Sequence, residues 1–117
     1  MVGAECFVDA AALADVLPGA LKGVALCGHA VALGNVEGRV FAIGNLCLRC
    51  GAPLTEGTLH ERIVACHGCD WKYDLADGQL VGLPTLRARV FEVQVDQGRI
   101  KVALPLPLHP HEDPLDA

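Results

Sequence analysis

Apolar residues in this chain come in short runs, broken by turn residues every eight to ten positions. Cys6-Phe7-Val8 reads as a first strand. Ala10 to Val16 predicts a helical turn, capped by Asp9 and ended by Leu17-Pro18-Gly19. Leu21 to Cys27 predicts a second strand, weakened by Gly23, and Gly28-His29 a turn onto Ala30-Val31-Ala32-Leu33. Asn35-Val36-Glu37-Gly38 closes a hairpin onto Arg39 to Ile43. Further on, Glu61 to Ala65 reads as a strand. Trp71, Tyr73 and Leu75 then alternate with polar residues, so one face of that strand is apolar. Asp77-Gly78 is a hairpin turn onto Gln79-Leu80-Val81, and Leu83-Pro84-Thr85 a connector. Arg89 to Val95 and Arg99 to Leu104 form a last hairpin, with Phe91, Val93 and Val95 on one face. Short β-branched runs at this spacing predict an all-β domain over residues 1–104. Residues 105–117 hold several prolines and acidic residues and predict a tail that leaves the domain.

Length and composition narrow the function. The 117 residues make one domain with room for a core of its own. The chain is 52% apolar but 4% aromatic, so Val, Leu, Ala and Ile must fill that core. Net charge is −5 and no Lys/Arg-rich run occurs, which argues against nucleic acid as a partner. No apolar run approaches the ~20 residues of a membrane span. The first nine residues carry Glu5 and Asp9 and no basic residue, unlike a signal peptide. Six cysteines without such a signal predict reduced thiols and a cytoplasmic protein.

The chemistry sits in two pairs, Cys47-Leu48-Arg49-Cys50-Gly51 and Cys66-His67-Gly68-Cys69. Each Cys-x-x-Cys can occupy one tight loop with both sulfurs turned inward. Gly51 and Gly68 are placed to let the backbone fold back under a metal. Cys47, Cys50, Cys66 and Cys69 are therefore the candidate ligands for zinc, a single iron or an iron–sulfur cluster. The competing explanation is two disulfides or four buried structural thiols, and it fits the paired spacing less well. His67 is a possible substitute ligand. His60 and His29 read as loop and turn residues, and His109 and His111 as part of the tail. Cys6 and Cys27 read as small buried hydrophobes in strands. Trp71 and Tyr73 read as packing behind the second pair. Nothing resembles a nucleophile–base pair, a phosphate loop or paired catalytic carboxylates, so the chain is not read as an enzyme by itself.

Several stretches carry a family resemblance. They are Cys47, Gly51-Ala52-Pro53-Leu54-x-Glu56-Gly57, Val64-x-Cys66, Trp71-x-Tyr73-Asp74 and Gly78, with hairpins on both flanks. Over about residues 5–104 the chain resembles the Rieske-type ferredoxins, electron carriers of aromatic-ring dioxygenase systems. The resemblance implies a Rieske-like two-sheet sandwich or small barrel, with a rubredoxin-like metal-binding lobe at about residues 45–74. It also implies reductase and oxygenase components as partners. In that family a Cys-x-His pair and a Cys-x-x-His pair hold a [2Fe–2S] cluster. Here Arg49 stands at the first histidine position and Cys69 at the second. Arg49 cannot ligate, because its guanidinium stays protonated. Cys50, one residue on, is the obvious replacement.

Exchanging two neutral imidazoles for thiolates would add two negative charges to the site. Potentials run from about −150 to +300 mV for His-ligated clusters and near −400 mV for all-Cys ones. The gap of ~250 mV or more corresponds to roughly 6 kcal/mol for one electron. Arg49 and Lys72 would offset part of it if they point at the site. Three functions follow: an electron-transfer ferredoxin with an all-Cys [2Fe–2S] cluster, a rubredoxin-like single-iron carrier, or a zinc-bound, redox-silent subunit.

Overall fold

Several of the tight turns are made by a residue pair ending in glycine. A computed structural model describes residues 5–105. In it, Cys27-Gly28, Glu37-Gly38 and Gln97-Gly98 all have positive φ at both positions. That is the backbone of the two-residue hairpin turn whose twist matches that of its strands. The first of these turns lies one residue earlier than expected. Cys27 is therefore a half-buried turn residue, not a strand residue, and Leu26 pairs with His29.

The strands begin with β1 (Glu5–Ala12), β2 (Leu21–Leu26), β3 (His29–Val36) and β4 (Arg39–Gly44), the last three joined by the first two of these hairpins. Next come β5 (Thr58–His60), β6 (Ile63–Ala65), β7 (Lys72–Asp74), β8 (Gln79–Leu80) and β9 (Leu83–Arg87). The last are β10 (Val90–Phe91), β11 (Val93–Asp96) and β12 (Arg99–Pro105). They form three antiparallel sheets, ordered β1-β12-β11, β10-β4-β3-β2 and β5-β6-β7-β8-β9.

The four-stranded sheet is the middle layer, and the burial of β3 says so. Val31 to Asn35 are all buried, with no polar-out alternation, because both faces of the strand are covered. Val31 and Leu33 pack into one core with Ile100, Val102 and Leu104 of β12. Ala32 faces the other way, into a second core with Leu54, Tyr73 and Leu75. Gly34 faces that second core too, and a Cβ there would come within 2.6 Å of Leu75 Cδ1. Asn35 is the buried polar residue of the layer. Its side-chain amide donates to the Val16 carbonyl at 2.7 Å and its Oδ1 accepts from Gly38 N at 2.7 Å.

The structure corrects several expectations. The predicted helical turn over Ala10 to Val16 is strand through Ala12, followed by one 3₁₀ turn at Leu13–Asp15. Asp9 does not cap it. Its carboxylate instead accepts two hydrogen bonds from Arg99 of the partner strand, at 2.9 and 2.6 Å. The expected connector at Leu83 is β9, an exposed edge strand, a place where Pro84 is tolerated. Glu61-Arg62 is a turn between β5 and β6, so His60 ends a strand instead of lying in a loop.

Arg89 to Val95 is not one strand either. Val90 and Phe91 pair with β4, whereas Val93 to Asp96 pair with β12, so the chain changes sheets at Glu92. Phe91 consequently lies in the core while Val95 is exposed. The sandwich thus has its two expected sheets, and the lobe adds a third that continues past residue 74 to Arg87. Strand β12 takes in Pro105, one residue beyond the expected boundary. The tail, with His109 and His111, lies outside the described residues.

Candidate metal centre

Two loops leave the third sheet and the middle layer and meet at one end of the molecule. Each is fixed by its own backbone. In the first, Cys47 N donates to Ala52 O at 2.9 Å and Gly51 N donates back to Cys47 O at 2.9 Å. In the second, Cys66 N donates to Trp71 O at 2.8 Å and Asp70 N to Cys66 O at 2.9 Å. The residue after each second cysteine has positive φ, 78° at Gly51 and 64° at Asp70. In both loops the amide two residues on, Arg49 N or Gly68 N, points at the first sulfur from 3.4 Å. The two Cys-x-x-Cys segments are therefore two copies of one knuckle.

Gly68 is not the turning residue, as its place in the second pair suggested; Asp70 is. An Asp tolerates this left-handed conformation better than most side chains. Gly68 matters for space instead. A Cβ there would stand 3.2 Å from Cys50 Sγ and 3.6 Å from the Ala52 Cβ.

The knuckles bring Cys47, Cys50, Cys66 and Cys69 together with all four sulfurs within 4.8 Å of one another. Across the loops, Cys47 Sγ lies 3.6 Å from Cys69 Sγ and Cys50 Sγ 3.5 Å from Cys66 Sγ. Cys47 and Cys66 are buried, Cys69 is half-buried and Cys50 is exposed. The cluster thus opens to solvent on the Cys50 side, beside the exposed Leu46 and Leu48.

Crowding sets the ionisation of these thiols. Burial pushes Cys47 up, but the Tyr73 hydroxyl and the Cys50 and Arg49 amides outweigh it and bring the thiol down to about 6. The Trp71 amide favours the Cys69 thiolate, yet burial and the three neighbouring sulfurs hold that thiol up at about 12. Burial likewise raises Cys66. One thiolate is favourable here and four are not, unless a cation sits among them. Zinc, iron and iron–sulfur clusters are the groups that four such sulfurs could hold.

Tyr73 is the site residue that sequence reasoning missed. Its alternation with Trp71 and Leu75 placed the ring in the core, where it is fully buried. The hydroxyl, however, accepts from Leu48 N at 2.9 Å, which leaves its proton for Cys47 Sγ at 3.3 Å. No local signal links a strand residue to a loop 25 positions upstream.

The other candidates stand apart. His67 turns its Nε2 to Glu56 Oε1 at 3.3 Å. His60 is exposed on β5, and His29 meets the Phe91 ring edge-on at 6.0 Å. The Arg49 guanidinium lies over the Trp71 ring at 5.6 Å, and Lys72 is exposed on β7. Cys6 lies on β1, outside the cluster. Among the described residues, no helix is long and apolar enough to cross a membrane.

Known proteins place this architecture. The ferredoxin component of the naphthalene 1,2-dioxygenase system of Pseudomonas putida is 30% identical over 99 residues, covering 84% of this chain and 95% of that protein. The solved ferredoxin of carbazole 1,9a-dioxygenase from Nocardioides aromaticivorans IC177 superposes with a TM-score of 0.77 at 28% identity, covering 85% of this chain and 97% of that one. A Mycobacterium tuberculosis protein described as an NADH-dependent nitrite reductase small subunit superposes with a TM-score of 0.79 at 29% identity, covering 86% and 96%. The family model of the Rieske [2Fe-2S] domain matches residues 6–103, and the chain therefore belongs to that family.

Proposed function

We propose that this protein is an electron-transfer component that passes electrons from a reductase to an oxygenase-type partner, on iron held by Cys47, Cys50, Cys66 and Cys69. The observation that carries the reading is the sulfur cluster itself, packed within 4.8 Å at an exposed end of a ferredoxin-like fold. The dioxygenase ferredoxins among its relatives supply the partner class. The family's own cofactor does not fit these residues. A Rieske cluster needs two imidazoles on one iron, and position 49 holds Arg while position 69 holds Cys. Among the described residues, no imidazole joins the four sulfurs.

The chain's residues supply what such a carrier needs. The buried Cys47 and Cys66 would hold a metal from inside, and the exposed Cys50 would present it to a partner at the surface. The Tyr73 hydroxyl and the Arg49 and Gly68 amides stabilise negative charge on the inner sulfurs, which favours the reduced state. Tyr73→Phe is expected to keep the metal but lower the potential, by on the order of 50 mV for one lost hydrogen bond to a thiolate. An unchanged potential in that variant would mean that the hydroxyl does not act on the metal.

The same four thiolates accept zinc, which has no redox chemistry. The chain would then be a structural subunit, a reading that the similarity to a reductase small subunit supports. Purified protein tests the choice. An electron carrier is expected to be coloured, to contain iron, and to bleach reversibly with one electron per metal centre. Colourless, zinc-containing protein that takes up no electrons would overturn the proposal.

A further inference from the structure

We infer that the four cysteines hold a single metal ion in a tetrahedron of sulfurs, and not the two-iron cluster of the chain's family. The inference rests on the proposal that these cysteines are the ligands, and it concerns how many metal ions they can surround.

The sulfurs stand at the spacing of a single-ion site. With metal–sulfur bonds of about 2.3 Å, a tetrahedral site has sulfur–sulfur edges of about 3.8 Å. The two cross-loop pairs stand at 3.6 and 3.5 Å, and every pair lies within 4.8 Å. A [2Fe–2S] cluster divides its four protein ligands between two irons. Sulfurs on different irons then stand farther apart than an edge, because each points away from the other iron. No division of these four sulfurs into two pairs leaves such a gap.

The two knuckles are also alike. Each knuckle has the same pair of backbone hydrogen bonds, the same positive φ after its second cysteine, and the same amide contact to its first sulfur. Two equivalent knuckles facing each other present two sulfurs each to one point between them. A Cys-x-His pair spaces its ligands one residue closer and leaves the last position of this knuckle without a donor. Arg49 in place of a ligand and Cys50 beside it thus change the ligand spacing as well as the donor atoms.

Little room is left between the loops. On the Cys50 side, Gly68 packs against the first loop so closely that a single added carbon would sit 3.2 Å from Cys50 Sγ. Bridging sulfides and a second iron would have to occupy the space between these loops, and the knuckles would have to move apart to admit them.

The test is stoichiometry on the full chain. Metal and acid-labile sulfide are measured in protein as purified, and the apoprotein is titrated with Co(II) alone. One metal per chain, no sulfide, and tetrahedral thiolate absorption saturating at one equivalent of Co(II) are expected. Iron reconstitution with excess sulfide should likewise leave one iron and no sulfide. Two irons with two sulfides per chain, from the cell or after reconstitution, would overturn the inference and leave the electron-carrier reading intact. One zinc per chain would support the inference and sink the electron-carrier reading, so the two fail separately.

Discussion

Cys66→Ser is expected to lose the metal and loosen the whole lobe. Cys66 is fully buried, with its sulfur 3.5 Å from Cys50 Sγ and its amide hydrogen-bonded to Trp71. Serine at that position stays protonated and cannot serve as a thiolate. Structural sites of this kind contribute roughly 10 kcal/mol or more to folding when the metal is bound. Loss of one ligand should weaken binding at least ~100-fold, about 2.7 kcal/mol. The lobe has little else to hold its tip. Its strands are two to five residues long, and β9 is exposed throughout. A fall in melting temperature of about 10 °C or more should accompany the loss. Cys47→Ser should behave alike. Cys6→Ser and Cys27→Ser should keep full metal content, because neither thiol belongs to the sulfur cluster. Calorimetry with metal analysis reads both effects. A Cys66→Ser protein with one metal per chain and an unaltered melting temperature would remove that cysteine from the site. If instead Cys50→Ser alone kept the metal, His67 would have to leave Glu56 and take its place.

The second large effect is an absence of pH dependence. A histidine ligand keeps a second ring N–H that it can lose on oxidation of the metal, so its potential falls as pH rises. A metal-bound thiolate has no proton left to lose. The nearest other titratable group in contact with a sulfur is Tyr73, and burial followed by the Cys47 hydrogen bond pushes its hydroxyl well above the usual phenol range. It therefore stays protonated across the working range. His67 faces Glu56 instead of a sulfur. The iron-loaded protein should accordingly show a potential nearly flat between about pH 6 and 10, far from the ~59 mV per unit of a fully coupled proton. Potentiometric titration at several pH values decides it. A steady fall above neutral pH would place an imidazole on the metal.

These expectations rest on different levels of the molecule. The four cysteines whose sulfurs the fold gathers were legible in the chain itself as candidate ligands, because Cys-x-x-Cys is a local motif and the sulfurs of one pair are set by four consecutive residues. The all-β class was legible for the same reason, since strand length and turn residues are local properties. Glu37-Gly38 and Gln97-Gly98 sit at the hairpin turns their residue types predict. What depends on distant packing was not legible. Ala10 to Ala12 have helical propensity, but pairing with β12 overrides it. The change of sheet at Glu92 is decided by which partner strand lies alongside, β4 or β12, and nothing in Arg89 to Val95 announces it. The Tyr73 hydroxyl finds Cys47 because β7 runs beneath the first loop. The spacing of the four sulfurs also belongs to the tertiary structure. Four thiolates in a sequence suit one ion or a cluster equally well, and only the folded knuckles set how far apart the sulfurs stand.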